Sequence, residues 1–257
     1  TFAESSERLR RAGRKMLPEC FYRVFFENSA TLSPFVSVDT HSKHRARPNL
    51  KIRPENGFQA IGDFNARLDL TKERIERHLW WNRKLNPSSY ISAFNKLSEY
   101  LFRIARIGER ISVAKIDTEG LFAATVQSTL EETVSVYEKG KIVPESTTKT
   151  TRQVLIPVFI RNTAVPDDLS PLDIDNFDPS KGDMWLSITE LRHFDLKIGL
   201  GEGHDYEFIA CGIVPKSRVT KIMPYDGYDL HYEPPNHTVW SRTNTRSWFF
   251  RYQDQMW

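Results

Sequence analysis

The sequence predicts an α+β domain built on a mixed or antiparallel sheet. Three observations carry that prediction. Segments with the alternation and the aromatic or β-branched content of strands dominate the chain. Two or three amphipathic helical segments lie mostly in its first half. No βαβ rhythm runs along it, and neither a GxGxxG turn nor a P-loop occurs, which argues against a Rossmann domain.

In chain order, residues 1–16 read as a short basic helix or a disordered lead-in. "ECFYRVFFENSA" reads as an aromatic strand closed by a turn, and residues 38–56 as a long basic loop broken by prolines. "LTKERIERHLWWNRKL" predicts a helix with Thr71 as its N-cap. Ile75, His78, Leu79 and Asn82 share one of its faces, so His78 points with apolar residues. An Asn-Pro turn then leads to a short strand, "SSYISAF". A second helix is expected in "KLSEYLFRIARI", with Leu97, Leu101 and Ile104 aligned, and a strand in "RISVAKID". From 133 to 161 the pattern turns strongly β, with a hairpin around Lys139-Gly140. The following strand, "RQVLIPVFIR", carries Pro157, the mark of an edge or a bulge. "SITE" at 187–190 is a capping box that opens a short helix after an acidic, proline-containing loop at 163–183. A glycine-rich loop leads into "GEGHDYEFIACGIVP", and the tail from 225 is rich in Tyr, Trp and Arg without clear periodicity.

Bulk composition narrows the function classes. The 257 residues make one large domain or two small ones. With 39% hydrophobic and 12% aromatic residues the chain is globular rather than disordered. A net charge of +3 does not by itself imply nucleic acid. Two cysteines, Cys20 and Cys211, make no disulfide framework, although one bridge stays open, and reducing surroundings are the default. No apolar run approaches membrane-spanning length, and no metal signature or GxSxG elbow occurs.

Two places stand out chemically. If a strand holds Asp205 and Glu207, they point to one face about 7 Å apart. They then sit at the mouth of the apolar run Phe208–Val214, where desolvation disfavours their charged forms. A solvated strand entry is the plainer reading of that spacing. Arg23, inside "FYRVFF", needs an anionic partner if buried, either a structural carboxylate or a bound phosphate. Ser92 and His78 are unremarkable alone, as a strand hydroxyl and a satisfied core histidine.

Taken together in order, "FYRVF", Gly57-Phe58, the helix with His78, "YIS" and "DYEFIACGIVP" resemble the ADP-ribosyltransferase superfamily. The branch is the Arg-Ser-Glu, cholera-toxin-like one, and the resemblance covers roughly residues 19–224. "HLWWNRKLNPSSYISAF" is also similar to an uncharacterised fungal domain family with this layout. The resemblance implies a split β-sandwich of mixed or antiparallel strands, between a basic lead-in (1–18) and an aromatic extension (225–257), with insertions near 38–53 and 125–161.

It implies NAD as substrate, no metal, and transfer of ADP-ribose to an unknown protein acceptor. Arg23 would hold the NAD phosphate and nicotinamide ribose, with His78, Tyr90 and Phe58 also on the NAD side. Ser92 would brace Glu207, the catalytic carboxylate, while Asp205 and Tyr206 would face the acceptor. A soluble intracellular protein, or a toxin- or effector-like one delivered into a host cytosol, is expected. The departures are Ser92-Ala93-Phe94 in place of Ser-x-Ser, and Asp205 where the family carries Glu or Gln. An NAD glycohydrolase and a non-catalytic module on the same fold are the alternatives. Modification of nucleic acid is another, if Arg8, Arg10, Arg11, Arg14 and Lys15 form one face with Lys43, Arg45, Arg47, Lys51 and Arg53.

Overall fold

A computed structural model describes residues 3–12, 17–27, 29–36, 51–80, 87–97, 108–138, 141–161, 169–174, 178, 181–182, 184–242 and 248–257. Side chains at 131–150 lie outside that description. The order is α1 (Glu4–Ala12), β1 (Cys20–Phe25), β2 (Thr31–Leu32), β3 (Asn56–Ala60), α2 (Ala66–Asp69), α3 (Lys72–Leu79), β4 (Tyr90–Phe94) and β5 (Ile111–Asp117). Then follow β6 (Phe122–Glu138), β7 (Lys141–Ile160), β8 (Leu172–Asp173), β9 (Met184–Ser187), α4 (Ile188–His193), β10 (Glu207–Cys211), β11 (Ile213–Pro215) and β12 (Val219–Tyr225).

The class is α+β, with few helices and mostly antiparallel sheets. A nine-stranded sheet runs β12-β5-β1-β4-β10-β9-β7-β6-β8, and a three-stranded sheet runs β11-β3-β2. Among the described residues only the β6–β8 pairing is parallel. β10 is central and buried along its whole length. Its alternation sends Phe208 and Ala210 into one apolar cluster and Ile209 and Cys211 into the other, so both faces of the large sheet are covered. The first cluster is closed by Phe58, Ala60 and Val214 of the small sheet, and the second by Ile75 and Leu79 of α3 with Ile188 and Leu191 of α4.

The chain leaves the large sheet for the small one at Gly212, whose φ of 82° suits a residue without a Cβ. Its N–H donates to Ser89 O at 2.8 Å and its carbonyl accepts from Ala60 at 2.8 Å, so β4 and β3 are tied at the crossing.

Local signals form as the sequence predicts. Thr71 caps α3, accepting from Arg74 N–H at 3.3 Å, and Ser187 caps α4, accepting from Glu190 N–H at 3.4 Å. The second half of the capping box does not form. Glu190 turns instead to Arg10, which donates to both its carboxylate oxygens at 2.7 and 2.8 Å. β6 and β7 pair down to Glu138↔Lys141, as a hairpin does, with Lys139 and Gly140 outside the described residues. Pro157 faces Thr125 of β6, on a stretch of β7 that lies before its pairing with β9 at Phe159 and Ile160. There the N–H of Leu155 is satisfied by Asp195 at 2.8 Å, and Pro157 has no donor to satisfy.

Three features add to the sequence reading. Within the lead-in, Glu4–Ala12 forms the short helix, and it docks on β6 with Glu7 buried. The outer ends of the 125–161 hairpin belong to the core, through Val126, Val154, Ile156 and Val158. The tail packs on the domain: Val239, Phe250 and Trp257 join the first cluster, and Trp257 donates to Ser112 Oγ at 3.0 Å. The proposed helix at 96–107 and most of the basic loop at 38–56 lie outside the described residues.

Candidate functional site

Strand order brings the predicted residues together. β1, β4 and β10 are consecutive neighbours in the large sheet, and they carry Arg23, Ser92 and Glu207 respectively. The register sets Glu207 opposite Phe94 and Ile209 opposite Ser92, so Ser92 and Glu207 share a face one step apart along the strands.

Arg23 belongs by alternation with Phe21 and Phe25, on the other face. Its guanidinium reaches β4 nonetheless, donating from Nη1 to the backbone carbonyl of Ser92 and from Nη2 to Thr31 Oγ1 at 2.7 Å. The ring of Phe58 lies under it, 5.2 Å from Cζ to centroid. Nε is buried without a hydrogen-bond partner. Arg23 is only 8% exposed, yet every direct partner is neutral. Burial pushes its guanidinium down to about 10, with the field of Glu207 opposing.

Glu207 is 5% exposed. Burial raises its carboxyl above the ordinary range. A hydrogen bond from the Ser92 side chain, the His204 N–H and the charges of Arg192 and Arg23 pull the other way. The His204 N–H donates to Oε2 at 3.2 Å. The adjoining Gly203 has a φ of 62°, and a Cβ there would meet Oε2 at 3.0 Å and Leu79 Cδ2 at 2.9 Å. Both the turn and the carboxylate's place therefore require glycine.

His78 faces Ser92 from α3. Its Nε2 lies 2.9 Å from Ser92 Oγ and its Nδ1 2.6 Å from Ser88 Oγ. Burial, reinforced by the Arg23 charge, pushes its pKa down to about 3, so the ring is neutral at ordinary pH.

The acids one residue apart do not share a strand face. β10 begins at Glu207, and Asp205 and Tyr206 are turn residues on the surface. Asp205 is bent outward by contacts from α4: Thr189 Oγ1 donates to its carbonyl at 2.5 Å and Arg192 pairs with its carboxylate. Arg192 also donates to Glu202 O at 2.7 Å, strapping the glycine loop to α4. Tyr206 is half exposed, with the Lys96 ammonium 4.7 Å from its ring centroid.

Tyr90 and Phe58 are core residues touching the site from behind. Tyr90 is buried against Phe64 and His78, its hydroxyl donating to Asp69 O at 2.5 Å, while Phe58 backs Arg23. Of the lead-in cations, Arg10 and Arg11 are turned inward, to Glu190 and Glu7. No group of three or more possible metal-ligating side chains occurs among the described residues. Thr31, Ser88, Thr189 and Arg192 carry no local sequence signal, since each acts on a partner fixed only by the tertiary structure.

Residues 16–174, more than half of the chain, match the family described as "Domain of unknown function (DUF7587)". The chain belongs to this family. The matched span holds Arg23, Phe58, His78, Tyr90 and Ser92 and stops before Glu207. Comparison with curated proteins and with solved structures gives no match.

Proposed function

We propose that the protein is an NAD-dependent mono-ADP-ribosyltransferase, acting on a protein acceptor through an ADP-ribosyltransferase-like split β-sandwich. One observation carries this reading. A buried guanidinium with only neutral partners among the described residues lies within the field of a buried carboxylate, and the serine beside that carboxylate is held by a histidine, the three strands β1, β4 and β10 being neighbours. A buried cation without an ion-pair partner is costly in a resting protein and is suited to an anionic ligand. The unsatisfied Nε of Arg23 supplies a further donor for a phosphate oxygen.

NAD as substrate supplies a nicotinamide that leaves with the electron pair of its ribose bond. Arg23 holds the dinucleotide through its phosphate charge. Glu207 places a fixed anion where positive charge develops on the ribose, and needs no general acid partner because the leaving group is neutral. Ser92 keeps that carboxylate oriented. The acceptor's nucleophilic atom forms the new bond to the ribose carbon and gives up its proton to Glu207 or to water.

The test is incubation with NAD labelled in the adenylate, with and without cell lysate, for the wild type and Glu207→Gln. Labelled protein is expected with the wild type, reduced about a hundredfold or more in the variant. Neither labelled protein nor free nicotinamide from the wild type would end the reading and leave a non-catalytic module.

Hydrolysis of NAD is favoured as a second reading by one contact. Asp205, the residue expected to face an acceptor, is already neutralised by Arg192. Free ADP-ribose made at the same rate with and without macromolecules would select it.

A further inference from the structure

Four polar groups form a line that ends on Glu207. The N–H of Tyr90 donates to Ser88 Oγ at 3.1 Å, and Ser88 Oγ lies 2.6 Å from Nδ1 of His78. Nε2 of His78 lies 2.9 Å from Ser92 Oγ, and Ser92 shares a sheet face with Glu207 one step along the strands, close enough to lower the carboxyl pKa. Hydrogen-bond chemistry gives this line a direction. The Ser92 hydroxyl has a single hydrogen, and Glu207 in its carboxylate form can only accept it. The Ser92 oxygen must then accept from His78, which places a hydrogen on Nε2. A neutral imidazole has one N–H, so Nδ1 is left as an acceptor, and Ser88 is the donor that meets it. At the far end the Tyr90 N–H, which can only donate, is answered by the Ser88 oxygen.

We infer that Ser88 is a positioning residue for Glu207: its hydroxyl donates to Nδ1 of His78, holds that ring with Nε2–H toward Ser92, and so frees the Ser92 hydroxyl for the carboxylate. The burial that keeps His78 neutral is consistent with this. Each donor in such a line polarises the next, which strengthens the final bond to the carboxylate. The hydrogen positions are a property of the protein alone, while their catalytic meaning rests on the function proposed above.

The experiment reads the hydrogens directly. The full chain carries seven histidines, and 15N labelling of histidine with His78→Gln assigns the His78 ring. At neutral pH the wild type is expected to show a single tautomer, protonated at Nε2, with the Nδ1 resonance displaced by an accepted hydrogen bond. Ser88→Ala should abolish that displacement and Ser88→Thr should keep it. Ser92→Ala removes the acceptor of Nε2–H and should raise the share of the Nδ1–H form, which Ser88 can accept. A wild-type ring protonated at Nδ1, or an Nδ1 resonance indifferent to Ser88→Ala, would overturn the inference; the first needs no variant to fold. The expected spectra from a chain that cleaves no NAD would keep this inference and remove the functional reading alone.

Discussion

Two arginines with largely buried side chains, Arg10 and Arg23, are answered in opposite ways. Arg10 donates to both oxygens of Glu190 and to the carbonyls of Ala124 and Val158, and lies over the ring of Phe159 at 5.3 Å. Arg23 meets one carbonyl, one hydroxyl and a ring, with Nε bare and no carboxylate of the described residues in ion-pair reach. The first is a finished structural ion pair that ties α1 to α4. The second is charge left uncompensated, beside a carboxylate that burial also disfavours. Satisfaction of the charge, rather than burial or residue type, separates these two arginines.

The sharpest way to break that comparison is to truncate each arginine. Arg10→Ala strands the buried Glu190 charge and should cost about 3–5 kcal/mol of unfolding free energy by denaturant titration. Arg23→Met, which fills similar volume and removes a charge without stranding a direct partner, should cost about 1 kcal/mol or less. An equal loss for the two would remove the distinction.

A comparable effect is expected from pH. His78 has a folded pKa of about 3 against an unfolded value near 6.5, so the unfolded chain binds the proton first. Its contribution is therefore complete above about pH 6.5 and is lost as pH falls toward about 3, up to about 5 kcal/mol. Glu207 works in reverse: its raised pKa means the folded state holds the proton longer, and stability falls as pH rises above about 4.3. In a pH series of denaturation midpoints, His78→Gln should flatten the acid limb. The Glu207→Gln variant should flatten the slope above it and be the more stable protein at neutral pH. An unchanged acid limb in His78→Gln would mean that the ring is already charged.

The smallest effect concerns the loop. Gly203→Ala forces a Cβ into a left-handed backbone and against Glu207 and Leu79, at about 1–2 kcal/mol. Thermal unfolding no different from wild type would show that the loop re-forms without its present turn.

What could be read from the sequence was local. Alternation and capping residues marked β1, β4, β5, β10, α3 and α4, because those signals arise within one or two turns of chain. Arg23, Ser92 and Glu207 were selected through a resemblance, since nothing local says that β1, β4 and β10 are neighbours. Arg10 read as one cation of a possible nucleic-acid face because its partner lies 180 residues away. Asp205 was expected on a strand face with Glu207, and two side chains of α4 hold it in a turn instead. The tail lacked a period because its pairings are isolated bridges, Trp240↔Phe249 and Arg251↔Met256, rather than a strand.

The strand order also sets where this protein can be divided. The family match ends at residue 174, whereas β10 fills the gap between β4 and β9, and Arg10 reaches across to Glu190. A fragment cut to 16–174 would expose the β4 edge of the large sheet and lose both the helix that answers Glu190 and Glu190 itself. The stretch that defines kinship is thus shorter than the stretch that packs together, because α1, β10 and the tail residues Val239, Phe250 and Trp257 all join the same body.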